Sequence, residues 1–476
     1  MAFGLFKKKE AADLILINGK VRTLLVDDPE VEALAVLDGR ILAMGDQEEI
    51  LAEFEDDETE LIDLEGGVVL PGFILMNQNL VMDCFQGLCS FIEENWEIDS
   101  LKQYIQKELD KRGFVFGHGY HPRLVKDLTP EEMRSVLDEV SSEKPIVLIS
   151  SGGFQVWLNT MALDQVKSVA EEEGVSQITL PYIVGVLELL DFELLQEKVL
   201  DKAKAYCKEG ITALFDLGTP DYFQSLYQEA LVGFYQEGFL KQRFYGSLLI
   251  NREVDPNGLA QKLMQNKTLC AELDGLINFN LLHLIVKEDK EPGLGLSRDA
   301  LYEIVIAASE RGFDIYLETL GPESLEQALE AFDEVRGAGY RKNLLMIATD
   351  ETISQEMKEK FFSLDEIHIL PKEEKGFGKN NEIGGYRGAI SMESYTDKMN
   401  IEAAVLLGEE ANLGALDIGH YADFAIFDKD PYAGNAQVVM TILDGVIVYD
   451  QEEDRDSNWY KEYKEIHEGQ EGQDGY

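Results

Sequence analysis

The chain has 476 residues, 45% hydrophobic and 28% charged, which is room for one large domain and a smaller one with ample cores. Acidic residues outnumber basic ones 91 to 42, for a net charge of -49, and this excludes nucleic acid as a partner because phosphate contacts need clustered Lys and Arg. No apolar run is long enough to span a bilayer, and the lysines after Phe6 follow a very short apolar patch, the reverse of a secretory signal, so a cytoplasmic protein is expected.

Residues 12 to 70 read as short strands. Leu14 to Ile17 comes first, then Ala33 to Leu37, an Asp38-Gly39 turn, and Arg40 to Met44, the pattern of a β-hairpin. Val68 to Leu70 reads as a buried strand that Pro71-Gly72 breaks. The next strand, from Phe73, carries Asn77 and Asn79 on one face by simple alternation. Gly119 and Pro122 argue for a loop around His118 and His121. Pro145 to Ile149 is a strand leading to a Ser-Ser-Gly-Gly loop, and Gly210 to Asp216 and Phe279 to Val286 are further strands. Ser297 is placed to cap a helix whose Leu301, Ile304, Val305 and Ala308 share one face, stopped at Gly312. Phe313, Ile315 and Leu317 alternate into a strand ending at Glu318. Leu344 to Ala348 ends at Thr349-Asp350, and Ile367 to Leu370 is the next strand. Repeated strand–helix units of this length argue for a parallel barrel, whose chemistry sits at the carboxyl ends of the strands.

The far end repeats the hairpin device, with Val438 to Leu443, Asp444-Gly445 and Val446 to Tyr449. Hairpin-rich ends around an α/β middle point to one small β-sandwich assembled from both termini. Cys84, Cys89, Cys207 and Cys270 lack zinc-like spacing and are expected to be reduced and structural. From Gln451 the chain is rich in Glu, Asp, Gln and Gly, so disorder or a loose helix is expected.

These stretches carry a resemblance. Val68 to Leu80 resembles the segment that opens the catalytic barrel of the amidohydrolase superfamily, Pro-Gly-Phe-Ile-Asp-x-His-x-His, whose histidines are the first two metal ligands. Asn77 and Asn79 stand at those histidines and Leu75 at the aspartate. Asn18-Gly19-Lys20, Leu64-Glu65-Gly66 and Gly419 to Asp423 resemble the family's composite β-domain. The similarity is to the branch of N-substituted formamide deformylases, which has a long insertion after its first barrel strand. Gly117 to His121 resembles that branch's Gly-Arg-Gly-Trp-Asp, and Gly185-Val186-Leu187-Glu188 its Gly-Val-Leu-Arg/Glu. Phe154 and Leu214-Phe215-Asp216 fall where the branch has Gly-His-Ala-Ala-Trp and Val-His-Asp. By the same resemblance Glu318 replaces a ligand histidine, and Ala348 or Thr349 stands at the next ligand position. His283 lies close to the place of the branch's carboxylated lysine. No Ser-Asp occurs between Leu370 and Ile401, so the eighth strand is expected to be shortened, displaced or missing.

The resemblance therefore implies an α/β fold, a TIM-like (β/α) barrel over residues 71–414 with an insertion at about 85–200, and a composite β-sandwich from 12–70 and 415–450. Residues 1–11 and the acidic 451–476 are the expected flexible ends. A metal in such a barrel lowers the pKa of bound water to make hydroxide near neutral pH. With its histidines replaced, the chain is expected to hold no metal or cofactor and to act as a pseudoenzyme. Its cavity, lined by Asn77, Asn79, Glu188, His283, Glu318 and Asp350, would take a small molecule or a partner, and a homodimer is the oligomer the resemblance suggests. Two alternatives stay open. One is a hydrolase of amide- or formamide-type bonds, with a single divalent metal or carboxylates alone. The other is a scaffold in a mixed oligomer.

Overall fold

Pro71-Gly72 is where one sheet hands over to another. Val68–Pro71 belongs to a six-stranded sheet and Phe73–Gln78 opens a seven-stranded one. Gly72 passes so close to Thr212 that a Cβ there would stand 2.1 Å from the Thr212 hydroxyl oxygen, which leaves glycine as the residue that fits. Asn400 Nδ2 locks the handover, donating to the carbonyls of Pro71 and Gly72 at 3.1 and 3.0 Å.

The computed structural model describes residues 11–462 apart from 28, 79, 87, 94–95, 151–154, 177, 179, 221–223, 237, 239–240, 251–255, 272–274, 289–294, 362–366, 372–393 and 395. Its largest sheet is parallel throughout. In chain order, which is also the hydrogen-bonding order, the strands are β1 (Phe73–Gln78), β2 (Ile211–Pro220), β3 (Arg243–Ile250), β4 (Ile277–Val286), β5 (Asp314–Thr319), β6 (Leu345–Thr349) and β7 (His368–Pro371).

Two-residue periodicity sorts the side chains between two faces. Ile315, Leu317, Leu345 and Ile347 pack outward against Leu301, Ile304, Val305 and Ala308 of the helix Arg298–Glu310 and against the helix Pro322–Gly337. Ile74, Met76, Phe215, Tyr245, Tyr316 and Met346 meet in one cluster on the other face, so the sheet curls around a shared interior. Ala403 and Ala404, next to the π-helical turn Asp397–Glu402, close that interior at the amino ends of the strands.

Between β1 and β2 the chain makes a four-stranded sheet of its own, ordered Val156–Leu158, Ile146–Ser150, Val115–Tyr120, Ser90–Phe91. The loop expected around His118 is a strand, because Gly119, at φ 109°, absorbs the irregularity as a register shift in the ladder. The six-stranded sheet joins Lys20–Arg22 and Val68–Pro71 to Phe424–Phe427, Val438–Leu443 and Val446–Asp450. A second sheet of four strands takes Leu14–Ile17, Ala33–Leu37, Arg40–Gly45 and Glu60–Asp63, and Leu34, Val36, Val69, Phe424 and Ile442 pack between the two. Both Asp-Gly hairpins close as expected, with positive φ at Asp38 (50°), Gly39 (72°), Asp444 (51°) and Gly445 (74°).

Strand β3 has no counterpart among the expected strands. In the tail, where the composition allows disorder or a loose helix, the chain forms the helix Gln451–Asp454, and Trp459 is buried beside Cys207 and Tyr449. Trp459 Nε1 donates to Asp454 at 2.6 Å and the Lys204 ammonium donates to the Ser457 carbonyl at 2.7 Å, so an aromatic anchor outweighs the polar composition. Residues 1–10 of the start expected to be flexible (1–11), the expected eighth-strand region (372–393) and residues 463–476 lie outside the described residues. No helix among the described residues is long and apolar enough to cross a membrane.

Candidate functional site

The register of β4 and β5 builds the polar centre of the barrel mouth. His283 is paired with Tyr316 and Ile285 with Glu318, so His283 and Glu318 are diagonal neighbours on the inner face near the carboxyl ends. The His283 side chain is 4% exposed and that of Glu318 is 32% exposed, a buried ring behind a carboxylate that reaches the opening. His283 Nδ1 lies 2.9 Å from the Leu217 carbonyl oxygen, which can only accept, so Nδ1 carries the ring proton. Nε2 is left facing Glu318 Oε2 at 3.4 Å, and the two form an ion pair when the imidazole takes its second proton. The Tyr316 ring stands edge-on to the imidazole at 4.9 Å and is itself backed by Phe215 at 6.0 Å.

The other residues expected at the site are less closely gathered. Asn77 lies on β1, the side chain being outside the described set, and Asn79 is not among the described residues. Glu188 is exposed on the turn after the helix Leu180–Val186, at φ 49°. Asp350 is exposed one residue past β6. Among the described residues, no three His, Cys, Asp or Glu side chains gather as a metal-binding group. Ala348, not Thr349, is the inward residue of β6, and Phe215 is the inward residue of its β2 motif. Asp216 turns the other way, accepting from the Leu80 and Gly218 amides at 2.8 Å each.

No protein-family model matches the chain. It is 24% identical over 385 residues to an exoenzymes regulatory protein, AepA, of Pectobacterium carotovorum subsp. carotovorum, covering 70% of this chain and 79% of the relative. It is 27% identical over 162 residues to the N-substituted formamide deformylase of Arthrobacter pascens, 32% of this chain and 29% of that one. In fold it is similar to an adenosine deaminase from Xanthomonas campestris with bound zinc, at a TM-score of 0.54, 96% and 99% coverage and 11% identity. The chain resembles the amidohydrolases in sequence and in fold.

An amidohydrolase metal centre needs several imidazoles and carboxylates converging on one point. At the mouth, the described inner face offers one imidazole, with Nδ1 already engaged by Leu217, and one carboxylate, beside apolar Phe215 and Ala348. These residues do not fit such a centre. What they provide is a buried histidine behind a half-exposed glutamate, a hydrogen-bonding and proton-exchanging pair.

Sequence reasoning placed His283 and Glu318 and missed the opposite end of the barrel. There Arg243, fully buried, donates from Nε to Asp423 Oδ2 at 2.6 Å and from Nη2 to Asp423 Oδ1 and to Asp444. Tyr421 lies beneath its guanidinium at 3.5 Å, with Arg40 also over the same ring at 4.3 Å. Alternation of Arg243, Tyr245 and Ser247 against Phe244, Gly246 and Leu248 was the available signal, and a leading arginine masked it.

Proposed function

We propose that the chain uses an amidohydrolase barrel as a binding site and has lost metal-dependent hydrolysis, with the mouth taking a small molecule or a partner through Glu318 and His283. The observation that carries this reading is the makeup of the inner face. Phe215, Ala348 and a His283–Glu318 pair stand where the resemblance places metal ligands. The relative matched over the longest span is named as a regulatory protein, which accords with a role other than hydrolysis. In this reading the two terminal sheets form the composite β-sandwich, and the protein works in the cytoplasm. A second reading rests on the pair itself: Glu318, backed by His283, is placed to exchange a proton with a ligand without metal.

The deciding test is metal content by plasma mass spectrometry on protein purified without chelator or nickel resin, with amide and formamide hydrolysis assayed alongside. Metal near zero and no turnover are expected. About one metal per chain, or hydrolysis abolished by Glu318→Ala, would overturn the binding reading.

A further inference from the structure

The insertion between β1 and β2 carries a groove of its own. It holds about 650 Å³, with residues 96–99 on one wall and Arg123, Leu124 and Lys126 on the other. The first wall is the start of the helix Ile98–Arg112, and the second is the 3₁₀ turn Pro122–Val125 with the residue after it. A volume of this size accepts a small organic molecule. Trp96 and Leu124 pack against the insertion's core around Leu101, Tyr120 and Trp157, which gives the groove a fixed apolar base.

The polar groups in the groove are without partners. The Trp157 and Trp459 indoles each donate a hydrogen bond, to the Met133 carbonyl and to Asp454, whereas Trp96 Nε1 donates to nothing among the described residues. Glu97 stands at the N-cap of its helix, yet its side chain accepts no backbone amide. Among the described residues Glu97, Asp99, Arg123 and Lys126 make no ion pair, although Lys102, Lys111 and Arg134 of the same insertion each pair with a glutamate. Carboxylates on one wall therefore face cations on the other without touching them. A simple anion or cation placed between would meet a like charge, whereas a ligand negative at one end and positive at the other matches both walls.

We propose that this groove binds a zwitterion of the short-peptide class. Its ammonium lies against Glu97 and Asp99, its carboxylate against Arg123 and Lys126, and its apolar side chains on Trp96 and Leu124. An extended dipeptide spans about 7 Å, enough to bridge charges that do not reach each other. Trp96 Nε1 offers a donor for the peptide carbonyl. The groove is separate from the mouth, and its occupancy does not depend on the function proposed there.

The test is a titration of the full chain with leucyl-leucine, its N-acetyl form and its C-terminal amide, read by tryptophan emission and by calorimetry. Trp157 and Trp459 are 1% and 7% exposed and Trp96 is half-buried, so a saturable emission change reports Trp96. Each capped form is expected to bind about fivefold more weakly, the contribution of one exposed charge pair. Arg123→Gln with Lys126→Gln should make the amide and the free acid equivalent. Glu97→Gln with Asp99→Asn should do the same for the acetylated and free amines. All four positions are exposed, so both variants keep the fold. No saturable signal up to about 10 mM, or equal affinity for the three forms, would overturn the proposal. So would calorimetric binding that Glu318→Gln abolishes and both groove variants retain, since that places the peptide at the mouth.

Discussion

The two ends of the barrel handle charge in opposite ways. At the floor, Arg243 is fully buried, holds two carboxylates and lies on Tyr421, joining β3 to the strands from the end of the chain. At the mouth, His283 and Glu318 make one long contact of 3.4 Å, and the carboxylate stays a third exposed. A buried ion pair is expensive to break because the surviving partner is stranded in a low-dielectric interior, whereas a pair open to solvent contributes little. The floor is therefore where this fold is held, and the mouth is where side chains can change without unfolding it.

The largest effect should come from the floor. Arg243→Met is expected to lower stability by about 3–5 kcal/mol in urea unfolding, since it leaves Asp423 and Asp444 unpaired. A loss below that of a mouth variant would break the contrast. Next comes Asp314→Asn. Its folded-state carboxyl is raised from 3.8 to about 6, so the native state binds the extra proton and wild-type stability falls as pH rises from about 4 to 6. The variant should exceed wild type by about 3 kcal/mol above pH 6, and the difference should close below pH 4. A constant difference across that range would remove Asp314 as the cause. At the mouth, Glu318→Gln should shift stability by less than about 1 kcal/mol, so any effect it has on ligand binding is read on a folded protein. The smallest effect is a comparison of thiols. Burial pushes Cys84, behind β1, up to about 11 and Cys207, near the terminal sheet, up to about 12. Neither should be alkylated at pH 8 in the folded protein, and both should react in denaturant. Fast native labelling at one of them would mark that region as opening locally.

Much of the fold was legible because its signals are local. The Asp38-Gly39 and Asp444-Gly445 turns need φ > 0 at both positions, and Asp-Gly supplies that whatever lies around it. The face of Leu301, Ile304, Val305 and Ala308 announces a helix by its period alone, and all four are buried. His283 and Glu318 were legible as strand-end residues, because alternation aims them inward. Glu188 and Asp350 were equally plausible by position, yet both are exposed, since burial depends on loops that a strand pattern does not specify. β3 escaped because its inner face opens on an arginine, and nothing nearby shows that Asp423 lies 180 residues further on to receive it.

By itself, then, the sequence determined most of the parallel strands, the hairpin turns and the inward aim of His283 and Glu318, since propensity and periodicity act over a few residues. Only the tertiary structure decided which charges are buried, which imidazole nitrogen is engaged and where Trp459 docks. Those outcomes rest on desolvation and on partners distant in the chain, and both exist only once the sheet has curled and its ends have met.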